Sequence, residues 1–275
     1  MNFKIILATV LLAILAHSLL LVYAIKVEPY NLQVTETSFD FFESEGNSLK
    51  VVLITDLHGE YANEQYFERV TREINSLDAD FIMISGDIVG DPGDWKGINS
   101  LSLLESTYGA YAVLGNHDYN DWDCTNPGSY EFADNVTQKL EALGINVLRN
   151  EHILLSARNR SFALVGVDDH WACMNNYSMA SDGLPSTMPK LILAHDNLAV
   201  EKDSIINGLV LSGHTHCGLV NVPFITQYVV EQAGFGSVSG GKGKIGESDL
   251  YVSCGLVPDG VRLFTRPEIS VIYLE

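Results

Sequence analysis

Five short runs of this chain are apolar enough to lie inside a sheet, and each stops at polar side chains suited to chemistry. "VVLIT" leads into Asp56 and His58, "FIMISG" into Asp87, "AYAVLG" into Asn116 and His117, "LILA" into His195, and "LVLSG" into His214 and His216. A short apolar run bounded by such residues reads as a buried strand. Loops at the ends of sheet strands are held rigidly, which is where α/β folds place their sites. The recurrence calls for a buried sheet whose strand ends bring distant residues together.

The collected side chains are two Asp, one Asn and several His. One histidine alone reads as structural, but the set mixes hard oxygen donors with imidazole nitrogens. Such a mixture suits Mn, Fe or Zn better than Ca or Mg alone. The Gly86, Gly115 and Gly213 that precede the ligands fit tight turns where a side chain would obstruct a metal; for Gly86 an ordinary turn serves equally well.

Between the runs, Tyr66, Phe67, Val70, Ile74 and Leu77 recur at helical spacing. Residues 97–107 can form a helix, and "SYEFADNVTQKLEALG" predicts another, with Val136, Leu140 and Leu143 inward and Gly144 as its stop. Strands alternating with helices indicate an α/β sandwich. The second half, from "INVLRNE" to "ISVIYLE", has little helix between most of its strands, which predicts a second, more antiparallel sheet.

The N-terminus adds a membrane signal. Ile5 to Ile25 carries no charge, which is about the length a helix needs to cross a bilayer. Lys4 precedes the run and acidic residues soon follow Lys26, so the expected topology keeps the N-terminus in the cytoplasm and the rest outside it. Val22-Tyr23-Ala24 also fits a signal-peptide cleavage site. A retained anchor is the first reading, and secretion after cleavage behind Ala24 competes with it. The expected organisation is an anchor or leader over 1–25, a stalk and first strands over 26–48, and one main domain over 49–275.

The chain has 275 residues and a net charge of −19, which disfavours nonspecific binding to nucleic acid and suits cations. Cys124, Cys173, Cys217 and Cys254 permit two disulfides in an exported domain, with three possible pairings. Cys124 and Cys173 lie in similar polar loops and are the first pairing, while four unpaired thiols remain an alternative. Asn135, Asn159 and Asn176 occupy Asn-x-Ser/Thr sites, which matter only in a eukaryotic secretory pathway.

Taken in order, "DLH", "GD", "GNHD", "AHD" and "GHTH" resemble the five blocks of the calcineurin-like metallophosphoesterases. The resemblance runs from about Leu49 to Glu275. Within that superfamily the chain looks closest to a membrane-anchored bacterial branch, which includes phosphodiesterases similar to the UDP-2,3-diacylglucosamine pyrophosphohydrolases. The resemblance implies a four-layer αββα sandwich with two divalent metals at its strand ends. It implies Asp56, His58, Asp87 and His216 on the first metal, and Asp87, Asn116, His195 and His214 on the second, so that Asp87 bridges both.

The resemblance places His117 outside the metal shell, facing the substrate, where it stabilises phosphoryl charge and protonates the leaving oxygen. Asp118 would orient the His117 ring. The implied reaction is in-line attack by a metal-bridging hydroxide on a phosphodiester or pyrophosphate, lipid-linked or nucleotide.

The chain departs from these relatives after "GHTH", where Cys217-Gly218-Leu219 stands. The loop from Pro223 to Ser248 reads as a flexible rim. In "VDDHW", Asp168, Asp169 and His170 follow another strand; His170 reads as a rim histidine, and Asp169 could anchor the loop. Two other classes compete with an enzyme: a phosphoesterase-like scaffold without catalysis, and a plain metal-binding module. Intact candidate ligands weigh against the first, and His117 beside them against the second.

Overall fold

The computed structural model describes residues 2–42, 46–59, 63–90, 95, 98–120, 130–201, 207–236, 238–258 and 260–275. In chain order it contains α1 (Phe3–Lys26), β1 (Gln33–Phe39), β2 (Leu49–Ile54), α2 (Glu64–Asn75), β3 (Phe81–Ser85), β4 (Ala110–Val113), α3 (Tyr130–Ala142) and β5 (Ile145–Val147). There follow β6 (Glu151–Ala157), β7 (Arg160–Val167), α4 (Tyr177–Ala180), β8 (Lys190–Ala194), α5 (Leu198–Glu201) and β9 (Leu209–Ser212). The chain closes with α6 (Ile225–Gln232), β10 (Gly241–Ile245), β11 (Ser248–Val252) and β12 (Glu268–Leu274).

The strands form two six-stranded sheets, ordered β1-β12-β2-β3-β4-β5 and β10-β11-β9-β8-β7-β6. Alternate strand residues face opposite ways, so each apolar run fills two cores. Val51 and Leu53 point between the sheets with Phe81, Phe162, Leu191 and Leu211. Val52 and Ile54 point outward onto Phe67, Val70 and Ile74 of α2 and onto Val136 and Leu140 of α3. On the far side, Val165, Ile192 and Val210 meet Tyr177 and Ala180 of α4 and Ala199 and Val200 of α5. The result is the four-layer αββα sandwich. Helix α2 is capped by Asn63, whose side chain accepts from the Tyr66 N–H, and α3 stops where Gly144 takes a φ of +85°.

Several sequence expectations need correction. The second sheet has two antiparallel pairings, β6 with β7 and β10 with β11, but its centre is parallel through β7, β8, β9 and β11. Strands β5 and β12, expected there, belong to the first sheet. The region 97–107 forms only a short 3-10 turn over Ile98–Leu103, with Gly97 outside the described residues. The glycines between Pro223 and Ser248 do not make a featureless rim, because α6 and β10 lie within it.

The segment after α1 is bound to the domain. Glu28 and Pro29 are buried, the Glu28 carboxylate accepts from the Thr265 N–H at 2.8 Å, and β1 pairs along its length with β12. Helix α1 itself is long and apolar enough to span a membrane, with no burial in its most apolar stretch. Cys217 and Cys254 form a disulfide, the pair that a Cys124–Cys173 bridge would leave over; Cys124 lies outside the described residues.

Candidate metal centre

The β2, β3, β4, β8 and β9 ends carry all seven candidate ligands, and the parallel β2-β3-β4 and β8-β9 pairings turn them toward one place. Their backbones are held in an uncommon shape. Asp56, His58, Asp87, His214 and His216 have φ of 51°, 42°, 51°, 68° and 49°. Left-handed conformations at non-glycine residues cost free energy and gather at functional sites. Here they turn each side chain sharply off the end of its strand.

Glycines make the approach possible. A Cβ on Gly86 would lie 2.6 Å from the Gly115 nitrogen and 2.8 Å from His195 Nδ1. One on Gly255 would lie 2.7 Å from the Asp56 Cβ. Gly86 is thus required by close approach as well as by its φ of +82°.

Two donor groups result. Asp56, His58 and His216 form one, and Asp87, His195 and His214 the other, while His58, Asp87 and His117 make a further combination that draws on both; within each, one ligand atom per residue falls within 4.8 Å of the rest. His216 Nε2 lies 3.3 Å from Asp56 Oδ1, and His214 Nδ1 lies 3.0 Å from His195 Nε2. The Asp87 Oδ2 atom is 3.1 Å from His195 Nε2 and 3.6 Å from His58 Nε2, which places this carboxylate between the groups. Ligands about 2.1 Å from one ion, at right angles to tetrahedral angles, stand roughly 3.0–3.4 Å apart. Asn116 Oδ1 and Asp56 Oδ1 are buried without a hydrogen-bond partner, which a cation would relieve. The residues fit divalent metals.

Neighbours fix the ligands' orientation. His195 donates its Nδ1–H to the Ser85 carbonyl at 2.8 Å, which frees Nε2 as the ligand atom. Asp56 Oδ2 accepts from Thr55 Oγ1 at 2.9 Å and from the His214 N–H at 3.0 Å. Burial pushes His58 and His214 down to about 3, so both rings are neutral and offer lone pairs. Burial works against the charged forms of Asp87 and His195, but their mutual attraction dominates. It holds the Asp87 carboxyl well below, and the His195 ring well above, their usual ranges, so a cation at Nε2 would have to displace a proton.

His117 is half-buried at the edge of this cluster, its ring centroid 4.5 Å from that of His58. Its backbone N–H donates to Asp87 Oδ1 at 3.0 Å. Asp118, expected to orient the His117 ring, has both carboxylate oxygens engaged by backbone donors. Its Oδ1 accepts from the Ile88 and Val89 N–H groups at 3.0 and 2.9 Å, and its Oδ2 from the Gly115 N–H at 2.9 Å. Asp118 clamps the β3 and β4 loops together.

Asp169 anchors its loop, accepting from the Ala172 N–H at 2.6 Å, and Asp168 accepts from the Tyr119 hydroxyl at 2.6 Å. Sequence reasoning missed Trp171 and Phe235, whose rings lie 5.6 and 5.4 Å from His214. An aromatic next to "DDH" was a usable signal for the first; nothing local marked the second. It also missed Arg262, a fully buried arginine that donates through Nε to the Val257 carbonyl and through Nη2 to that of Cys254.

A profile of the family described as calcineurin-like phosphoesterase matches residues 49–218. A bovine transmembrane protein with metallophosphoesterase domain is 30% identical over 251 residues, covering 83% of this chain and 53% of the bovine protein. An uncharacterised metallophosphoesterase of Helicobacter pylori strain J99 is 29% identical, with 82% of this chain and 59% of that protein covered. This chain therefore spans little more than half the length of these two relatives. Phosphodiesterase YaeI of Escherichia coli K12 is 28% identical, with 90% of each protein covered. With its five motifs converged at the strand ends and the family profile covering more than half its length, the chain belongs to the calcineurin-like phosphoesterases.

Proposed function

We propose that the protein is a phosphoester hydrolase dependent on two divalent cations, acting on phosphodiester or pyrophosphate bonds. The observation that carries this reading is the position of Asp87, one carboxylate within 3.1 Å of His195 and 3.6 Å of His58, between two donor groups that each suit one cation. Two cations bound there would neutralise phosphoryl oxygens and acidify water near neutral pH. Asp56, His58, Asp87 and His216 are assigned to one, and Asp87, Asn116, His195 and His214 to the other.

The remaining side chains act on substrate. His117, at the rim of the cluster, stabilises charge on the phosphoryl group and delivers a proton to the leaving oxygen. Beside His214 and His216 lies a cavity of about 310 Å³ whose walls are Leu219, Val229, Val230, Ala233 and Phe235. An apolar wall favours an apolar substituent on the phosphate, so a lipid-linked phosphoester is preferred over a nucleotide. A retained α1 would hold the domain at the membrane, with the site on the extracytoplasmic side.

The test uses the full chain in detergent, stripped with a chelator and reconstituted with Mn, Fe or Zn. Two bound ions per chain and restored hydrolysis of bis-p-nitrophenyl phosphate are expected. Full metal loading without hydrolysis of this diester, p-nitrophenyl phosphate or a UDP-linked lipid would identify a scaffold or metal-binding module instead.

A further inference from the structure

Apolar side chains stand out of the domain beside the end of α1. Phe224, Ile225, Tyr228 and Val229 are 92, 59, 63 and 53% exposed, and Val261 and Phe264 are 38 and 66% exposed. Helix α6 buries Thr226 and Val230 against the domain, so Ile225, Tyr228 and Val229 form a second apolar face turned away from it. A surface helix normally carries polar residues there. Phe224 and Phe264 also have φ of 67° and 59°. A bulky residue rarely takes that backbone, and here the cost leaves two aromatic rings in the open.

These residues are joined to α1 by hydrogen bonds. The Arg262 N–H donates to the Ala24 carbonyl at 3.0 Å, the Leu263 N–H to the Leu219 carbonyl at 2.9 Å, and the Asn221 N–H to the Leu263 carbonyl at 2.8 Å. Thr226 of α6 donates to the Val220 carbonyl at 2.8 Å. Ala24 belongs to the apolar helix and is buried against the domain, so no free linker separates the two. A helix embedded in a bilayer would bring this face toward the lipid.

We propose that Phe224, Ile225, Tyr228, Val229, Val261 and Phe264 form a second membrane contact that docks the domain on the bilayer surface beside α1. The proposal rests on α1 being a retained membrane helix, and it commits to lipid as the occupant. Val229 also lines the apolar cavity next to His214 and His216, so the docked face leads from the bilayer to the metal centre. Amphipathic segments bind in this way by burying apolar side chains at the boundary between head groups and acyl chains.

The test places tryptophan at the patch in the full chain, as Phe224→Trp and Phe264→Trp, with Leu154→Trp on β6 as an exposed control. Each variant is reconstituted into phosphatidylcholine vesicles with or without acyl chains brominated near the head group. Emission added by the patch tryptophans should be quenched at least twofold more than that added at position 154. Equal quenching at all three positions overturns the proposal. Emission that brominated lipid leaves unchanged, but that shifts with protein concentration, also overturns it and identifies a second copy as the occupant. Quenching requires no turnover, so vesicles that show it without any hydrolysis would sink the proposed activity and leave the docking standing.

Discussion

At the scale of single residues, Asp87 and the pair His117–Asp118 carry the sharpest expectations. Asp87 lies between the two donor groups and is proposed to serve both cations, so Asp87→Asn should lower bound metal from two ions to one or none and remove nearly all hydrolysis. Metal analysis of the purified variant checks this; unchanged content with wild-type turnover would end the bridging role. His117→Gln should retain both metals yet slow hydrolysis by roughly 10²–10⁴-fold, the usual contribution of a positioned acid, and by less with good leaving groups. Asp118→Asn should behave differently, because an amide cannot accept from both the loop over Ile88 and Val89 and the Gly115 N–H. One buried donor left unpaired costs about 1–3 kcal/mol, so this variant should lose thermal stability and metal affinity together. A change confined to the acid limb of the pH–rate profile, with metal affinity intact, would restore the ring-orienting role to Asp118.

At the scale of elements, the disulfide between Cys217 and Cys254 joins the loop after β9 to the loop after β11, across a sequence separation of 37. Cys217 follows His216 directly, and Gly255 packs against Asp56, so the bridge braces one donor group from two sides. Closing a loop of that length contributes about 4 kcal/mol in the chain-entropy view. The paired Cys217→Ser and Cys254→Ser variant should therefore melt well below the parent and bind its metals more weakly; calorimetry with and without metal checks both.

The same elements show what the sequence made legible. Val51 to Ile54 and Leu191 to Ala194 are apolar without interruption because both faces of their strands are covered, and their polar endpoints follow from that burial. Sheet membership was not legible: β12 has the same apolar pattern as its neighbours, yet crosses back to pair with β1 and β2. Local pattern encodes burial but not the partner. Phe235 was hidden for a related reason, since it reaches His214 only because α6 folds across the rim. The backbone donors that hold Asp118 were not legible either, because adjacency to His117 in sequence says nothing about which way its carboxylate turns.

At the scale of the whole molecule, the end of α1 is tied to the domain, since the Ala24 carbonyl accepts from the Arg262 N–H and the chain continues into the buried Glu28. A reporter active only outside the cytoplasm, fused after Glu275, should be active, and the protein should stay with membranes through a high-salt wash. An active cytoplasmic reporter and a silent external one would reverse the topology. Recovery of soluble protein beginning at Ile25 would establish cleavage.

The left-handed backbones of the candidate ligands bear on the protein's supply in the cell. Five such backbones at roughly 1–3 kcal/mol each weigh heavily against a typical folding stability of about 5–15 kcal/mol, and bound cations shift that balance through mass action. Starved of metal, a chain that binds cations here would spend more time open to proteases and be removed sooner. Metal scarcity would then be read as fewer molecules before it is read as slower ones.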